Sequence, residues 1–294
     1  MLSVYTAADI AALSGDSDIR LGVIGNPIAH SKSPQMQQAA LDSEKRALTY
    51  VRLLSGTGEG EFASLLTLLE QRGFIGVNVT VPFKKKAFAS AVQADSLSAL
   101  CGAANTLVRQ EDGWHCHNTD GPGFERAIDE LCGKKLSELS IVILGACGGA
   151  GAALSCQCIL SGCRSLTLVN RPRPELEQLH QLLLPRAEGA LHAVSFSSHG
   201  FRKAVEHADL IVNATSLGLR AGDPLPLEVS WLCPGQVVYD IVTHTTPLQQ
   251  EASARGCLVS DGLGMLLWQG AIAYRHWFGL LPNTQLMREA LLRG

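Results

Sequence analysis

What the sequence lacks sets its first limits. None of its apolar runs approaches the roughly 20 residues that cross a bilayer, so the chain does not read as a membrane protein. Neither charge sign dominates: the formal net charge is −3 and the isoelectric point is near 6.3. That balance offers no electrostatic footprint for nucleic acid or an anionic membrane. There is no CxxC pair among the nine cysteines. An odd, scattered set suits small buried hydrophobes of a cytosolic enzyme rather than a disulfide frame. His115 and His117 of "HCH" share a strand face, but no further ligands at zinc spacing accompany them, so no metal is expected. The opening "MLSVYTAADIAALSGDSDIR" carries acidic residues early, unlike a signal peptide, and the expected location is cytoplasmic. No internal repeat or low-complexity segment interrupts the chain.

What is present is material for large cores. Hydrophobic residues make up 46% and charged residues 17% of 294, which suits about two globular domains. Strand-like and helix-like segments alternate, the pattern of an α/β fold with parallel sheets. "IRLGVIG" reads as a strand. "PQMQQAALDSEK" follows as a helix, with Ser33 as N-cap and Pro34 in its first turn. "LTYVRLL" is another strand, and "GEFASLLTLLEQRG" a helix closed by Gly73. "IGVNVTV" (75–81) alternates as a strand stopped by Pro82, and "KKKAFASAV" starts a helix. Three lysines at the positive end of a helix are locally unfavourable, so something anionic is expected opposite one of them. "ANTLVRQEDGWHCHN" reads as a hairpin turning at Asp112-Gly113.

A second unit begins near Asp120 with the helix "GPGFERAIDELCG". "SIVILGACGGAGAALSCQCILSG" is then an apolar strand, a glycine-rich turn and a helix. This is where a Rossmann fold holds a pyrophosphate against a helix N-terminus. Set against G-x-G-x-x-G/A, Gly145 takes the first position and Ala150 the third, while Cys147 occupies the second. Gly148 and Gly149 complete the turn. The next strand ends "VNRPRPE". Asn170, Arg171 and Arg173 stand where an NAD-binding fold usually has an acid, and arginine grips a 2′-phosphate with charge-assisted bonds. NADP is therefore the expected cofactor, with NAD left open by the nearby Glu175.

The motifs "GNPIAHSKSP" (25–34), "NVTVPFK" (78–84), "GAANTL" (102–107), "NTDG" (118–121), "NR" (170–171), "NATSLG" (213–218) and "DGLGMLLWQGA" (261–271) occur in the order of the shikimate dehydrogenase family. The chain resembles that family over nearly its whole length, and some motifs resemble its quinate/shikimate branch. The resemblance implies an N-terminal α/β substrate domain of residues 1–119 and 262–294, and a Rossmann-type doubly wound NADP-binding domain of residues 120–261. It implies NADP-linked interconversion of 3-dehydroshikimate and shikimate, or action on quinate or another cyclohexane polyol. It also implies a small-molecule substrate and a monomer or homodimer. The catalytic lysine falls on Lys84 and its partner on Asp120, which is also a candidate N-cap, leaving Lys85 and Lys86 solvated.

The substrate positions fall on Ser31, Ser33, Thr80, Asn105 and Gln269; a structural role is open for Asn78 and Asn105, whose buried amides need partners, and His30 is expected to be structural. Besides the glycine turn, the cofactor positions fall on Thr215, Ser216, Ile241, Gly262 and Met265. Two residues depart from the pattern: Cys147 in the turn, and Thr243 where a carboxylate-binding tyrosine is expected. Either His244 or another donor replaces that tyrosine, or the preferred substrate differs. A sensor that keeps the fold without turnover is the reading of another class.

Overall fold

The computed structural model describes residues 4–293. The chain divides into two compact units, one formed by the chain up to Thr119 and from Leu266 onward, the other by Asp120–Met265. Among the described residues no helix is long and apolar enough to cross a membrane.

The first unit is built on a seven-stranded sheet. Its strands are β1 (Val4–Tyr5), β2 (Ile19–Gly25), β3 (Thr49–Leu54), β4 (Gly76–Val79), β5 (Gln93–Ala94), β6 (Thr106–Gln110) and β7 (Gly113–His117). Their order is β1-β3-β2-β4-β6-β7-β5. The central β2 pairs in parallel with β3 and β4, and β4 pairs antiparallel with β6. Alternation along β2 explains the layering, because successive side chains of a strand point to opposite faces. Leu21 and Val23 join Met36, Leu41, Tyr274 and Met287 from helices Ser33–Ser43, Leu263–Phe278 and Thr284–Arg293. Ile24 joins Phe62, Leu66 and Leu69 of helix Glu61–Gln71 on the other face.

Three local expectations are corrected. β4 ends at Val79, two residues before Val81, because the Thr80 carbonyl already accepts from Phe83 N–H (2.9 Å) in the turn that follows. The hairpin turns at Glu111-Asp112, and Gly113, with φ of 142°, is already the first residue of β7, opposite Gln110. Ser33 is not an N-cap but the first helical residue. Lys32 holds the cap position, with no side-chain bond to the helix.

His117 on β7 stacks on His276 of helix Leu263–Phe278, with ring centroids 3.8 Å apart. Burial, and then the neighbouring His117, push His276 down from the ordinary histidine value of 6.5 to about 4. The unfolded chain therefore takes up this proton first, and the stability it carries at neutral pH is lost as pH falls from 6.5 towards about 4. We expect His276→Phe to keep the stack and to flatten the fall in Tm between those pH values. Parallel slopes for the two proteins would show that His276 has no such linkage.

The second unit is a six-stranded sheet of β8 (Ser140–Leu144), β9 (Ser165–Asn170), β10 (Ala190–Ser195), β11 (Leu210–Asn213), β12 (Val237–Asp240) and β13 (Leu258–Ser260). All recorded pairings are parallel. The order β10-β9-β8-β11-β12-β13 becomes 3-2-1-4-5-6 when counted from the unit's first strand, the doubly wound dinucleotide-binding order. β8 reads SIVIL because a parallel sheet is covered on both faces. The winding direction changes between β8 and β11, and ligands of such sheets bind outside the carboxyl ends of the strands at that point.

Candidate active site

In the first unit the sequence-selected residues gather at the carboxyl ends of β2 and β4 and the start of the antiparallel β6. Thr80 follows β4 and donates its N–H to Ile24 O of β2 (2.9 Å). Ser31 lies in the loop after β2, and its hydroxyl accepts from Ser33 N–H (3.3 Å). Its carbonyl accepts from the Arg52 guanidinium at 2.5 Å and 3.1 Å. Arg52 is 5% exposed, and burial lowers its pKa from the ordinary arginine value. An arginine inside the apolar run "TYVRLL" was the signal, missed in the motif reading, that this loop is anchored from below. His30, expected to be structural, is exposed.

Asn105 is the centre of the cluster and is 3% exposed. Its Oδ1 accepts from Thr119 N–H (2.7 Å), and its Nδ2 donates to Thr119 Oγ1 (3.0 Å) and to Gln269 Oε1 (3.4 Å). Gln269 in turn donates to Leu266 O (2.9 Å). Asn78 is a brace: Oδ1 accepts from the buried Tyr50 hydroxyl (2.8 Å), and Nδ2 donates to Thr106 Oγ1 (3.1 Å). Such closed networks of buried amides fix side-chain positions tightly, since an unmade bond there is costly.

Lys84 is the first residue of helix Lys84–Ala89, after Phe83 at the N-cap. Its carbonyl accepts from Ala104 N–H (2.9 Å), which ties it to the segment that carries Asn105. The Phe83 ring is buried and stacks on Phe62, with centroids 5.2 Å apart. Lys84 is half-buried, whereas Lys85 and Lys86 are exposed. Asp120 follows Thr119 directly, as the buried first residue of helix Asp120–Cys132 in the second unit.

In the second unit β8 ends at Leu144 and Gly145 turns the chain with φ of 80°. Gly148 is the N-cap of helix Gly149–Leu160. One assignment changes here. The residue that lets helix and strand pack closely is Gly151, not Ala150, because a Cβ on Gly151 would collide with Gly145 O and lie 3.0 Å from Ala146 Cα. Gly145 and Gly151 are six positions apart, one more than the motif allows, so Cys147 is an extra residue in the turn. Its half-buried thiol lies beside Asn170, and burial raises its pKa from the ordinary thiol value.

Asn170 ends β9 and is 7% exposed, and its Nδ2 has no hydrogen-bond acceptor among the described residues. A buried donor without a partner is rare enough to point to a ligand. Arg171 and Arg173 are exposed beside it, and Arg173 stands 3.9 Å from Glu175. These residues, with open space beside Gly149 in the turn, fit a dinucleotide carrying an extra phosphate.

At the carboxyl ends of β11 and β12, Thr215 is held by Asn213 Oδ1, which accepts from its hydroxyl (2.6 Å) and its N–H (3.1 Å). Ser216 is exposed next to it. A Cβ on Gly262 would strike Ile241 O, so these two backbones touch. Met265 N–H donates to the Tyr239 hydroxyl (3.0 Å). Asp240, unmarked in the sequence reading, is fully buried and accepts from Thr246 Oγ1 (2.8 Å), Asn213 Nδ2 and Val242 N–H (both 3.1 Å). Burial raises its pKa from the usual carboxylate value, and those bonds oppose the rise. Thr243 is half-buried, while the Nε2 of His244 donates to Gly218 O (3.1 Å).

Comparison with known proteins places this geometry. Residues 23–107 match the family description "Shikimate dehydrogenase substrate binding domain", and residues 262–292 match "Shikimate 5'-dehydrogenase C-terminal domain". A shikimate dehydrogenase (NADP(+)) from Dinoroseobacter shibae is 40% identical over 277 residues, covering 92% of this chain and 96% of that protein. The chain belongs to the shikimate dehydrogenase family. Among the family's solved structures, the shikimate 5-dehydrogenase of Listeria monocytogenes in complex with shikimate and NAD superposes with a TM-score of 0.85 at 28% identity. That match covers 95% of this chain and 98% of the other. The Thermus thermophilus enzyme in complex with NADP(H) and shikimate gives 0.81 at 33% identity, covering 94% and 99%.

Proposed function

We propose that this chain is an NADP-dependent oxidoreductase interconverting 3-dehydroshikimate and shikimate. The observation that carries the reading is the buried amide and hydroxyl cluster centred on Asn105, with Lys84 tied to the same segment; both of these residues lie in the stretch matched to a shikimate dehydrogenase substrate binding domain. Reducing a ketone to an alcohol needs hydride at carbon and a proton at oxygen. NADPH, held at the glycine turn and by Asn170 and Arg171, would supply the hydride and become NADP⁺. The Lys84 ammonium stabilises the charge developing on the oxygen and donates the proton. The Asp120 carboxylate orients that ammonium and accepts a substrate hydroxyl. Ser31 and Ser33 bind the substrate carboxylate, and Thr80, Asn105 and Gln269 bind its ring hydroxyls. Thr243 is shorter than the tyrosine the family pattern expects, and His244 donates to Gly218 O.

The test is initial-rate oxidation of shikimate and of quinate, each with NADP and with NAD. The expected result is the highest kcat/KM for shikimate with NADP. Folded protein that binds NADP but oxidises neither substrate would overturn the activity. Arg171 is assigned to the 2′-phosphate. A charge-assisted hydrogen bond contributes about 1.5–3 kcal/mol, so Arg171→Ala should lower kcat/KM with NADP by about 10- to 100-fold. The same variant should leave kcat/KM with NAD within about threefold, since NAD lacks that phosphate. Equal losses with both cofactors would remove Arg171 from phosphate recognition.

A further inference from the structure

The second unit holds a cavity of about 730 Å³ that the reaction does not use. It lies at the amino ends of β8 and β9, whose first residues Ser140 and Ser165 line it, whereas Gly145 and Asn170 mark their carboxyl ends. The strand registers place Ser140 opposite Ser165, and Val142 and His192 opposite Thr167, so these residues share one sheet face. Further along the same face, Leu144 and Val169 are buried with Phe201 and Val205 of helix His199–His207. The face is thus sealed by that helix at its carboxyl end and stays open at its amino end. There the sequence places Ser140, Ser165, Thr167 and His192 rather than further aliphatics.

Three features separate this hollow from an ordinary wet sheet face. Its walls are shielded: Val142 is 2%, Ala208 6% and Thr167 8% exposed. The Thr167 hydroxyl makes no bond to a described residue and opens into the hollow, where it can donate to a bound molecule. The polar groups at the rim are basic or neutral: Lys203, His180, His192 and His207 stand there, and no Asp or Glu is among the described lining residues. Glu177 stands 4.0 Å from His180 Nδ1, and His180 Nε2 donates to Leu191 O (3.4 Å) at the outer edge of β10. An apolar floor with a few polar groups, at this volume, is the usual form of a small-molecule pocket.

We propose that this hollow binds a small organic anion, a carboxylate or phosphate ester carried on an apolar body. The body rests on Val142, Val194 and Ala204, the Thr167 hydroxyl donates to it, and Lys203 faces its charge. The site is separate from the dinucleotide turn, at the opposite ends of the same strands.

The probe is 1-anilinonaphthalene-8-sulfonate, an apolar ring system bearing one anion, titrated into the full chain with excess NADP present. Saturable fluorescence is expected. Lys203→Glu should weaken it about tenfold by turning attraction into repulsion. His192→Trp should abolish it by filling the hollow. Both positions are exposed, so Tm and turnover should be unchanged in each variant. Displacement of the probe by benzoate or by phenyl phosphate supports the site and tells which anion it takes. Fluorescence that does not saturate, a saturable response unchanged in either variant, or displacement by neither competitor overturns the proposal.

Discussion

Lys84→Ala should lower kcat for shikimate oxidation by about 10³-fold, within the range that a positioned proton donor contributes. The affinities for NADP and shikimate should change far less, because the backbone of residue 84 stays tied to Ala104 N–H and the Phe83 ring stays under Phe62. Stability supplies an independent check. Lys84 is half-buried at the first position of its helix, and losing such a charged contact costs no more than about 1 kcal/mol, so Tm should fall by a few degrees at most. An inactive variant that keeps its fold and still binds both ligands therefore points to chemistry rather than to folding. A loss of kcat smaller than about tenfold would remove Lys84 from the proton-transfer step.

The second large effect is expected at Gly151. Its α-hydrogen faces Gly145 O and Ala146 Cα, both backbone atoms that cannot swing away. Overpacking of this kind costs about 1–3 kcal/mol, so Gly151→Ala should lower Tm by several degrees. Because the collision displaces the turn itself, NADP affinity should fall about tenfold with it. Gly149→Ala is the matched control. Nothing lies within 4 Å of its added Cβ, and alanine is the better helix former, so Tm should hold or rise. If Gly151→Ala melts with the parent protein and binds NADP equally well, the close approach does not matter to the turn.

These two positions also mark what could and could not be read from the residues. Lys84 stood out because three cations at a helix start conflict with local electrostatics, and such a conflict is visible in one dimension. The strand, turn and helix around Gly145 were equally plain, since apolar runs and glycine clusters are local signals. The register inside the turn was not. Counting a motif assumes fixed spacing, and the extra Cys147 moved the packing glycine from 150 to 151. Ser33 was misplaced for a related reason: a serine before an apolar run reads as a cap, but here helical geometry begins at Ser33 itself. Arg52 under Ser31, Tyr50 on Asn78 and Asp240 beneath Thr246 escaped notice because hydrogen bonds set by tertiary packing leave no periodic trace. Asn105 was legible as a site residue, but its hold on Thr119 was not.

The way the chain is apportioned has a consequence for its synthesis. The Asp120–Met265 unit is one uninterrupted stretch, whereas the core of the first unit is covered in full only by helices that end the chain. Leu267, Ala271, Tyr274, Trp277, Met287 and Leu291 pack on one face of that sheet beside Met36, Ala40 and Leu41. On the ribosome the strands made first must therefore wait, with an apolar surface exposed, until the middle of the protein has been made and the tail has emerged. The later-made unit can reach its native form before the earlier one, reversing the usual order of vectorial folding. A nascent chain halted just past Met265 would present chaperones with one closed domain and one open face.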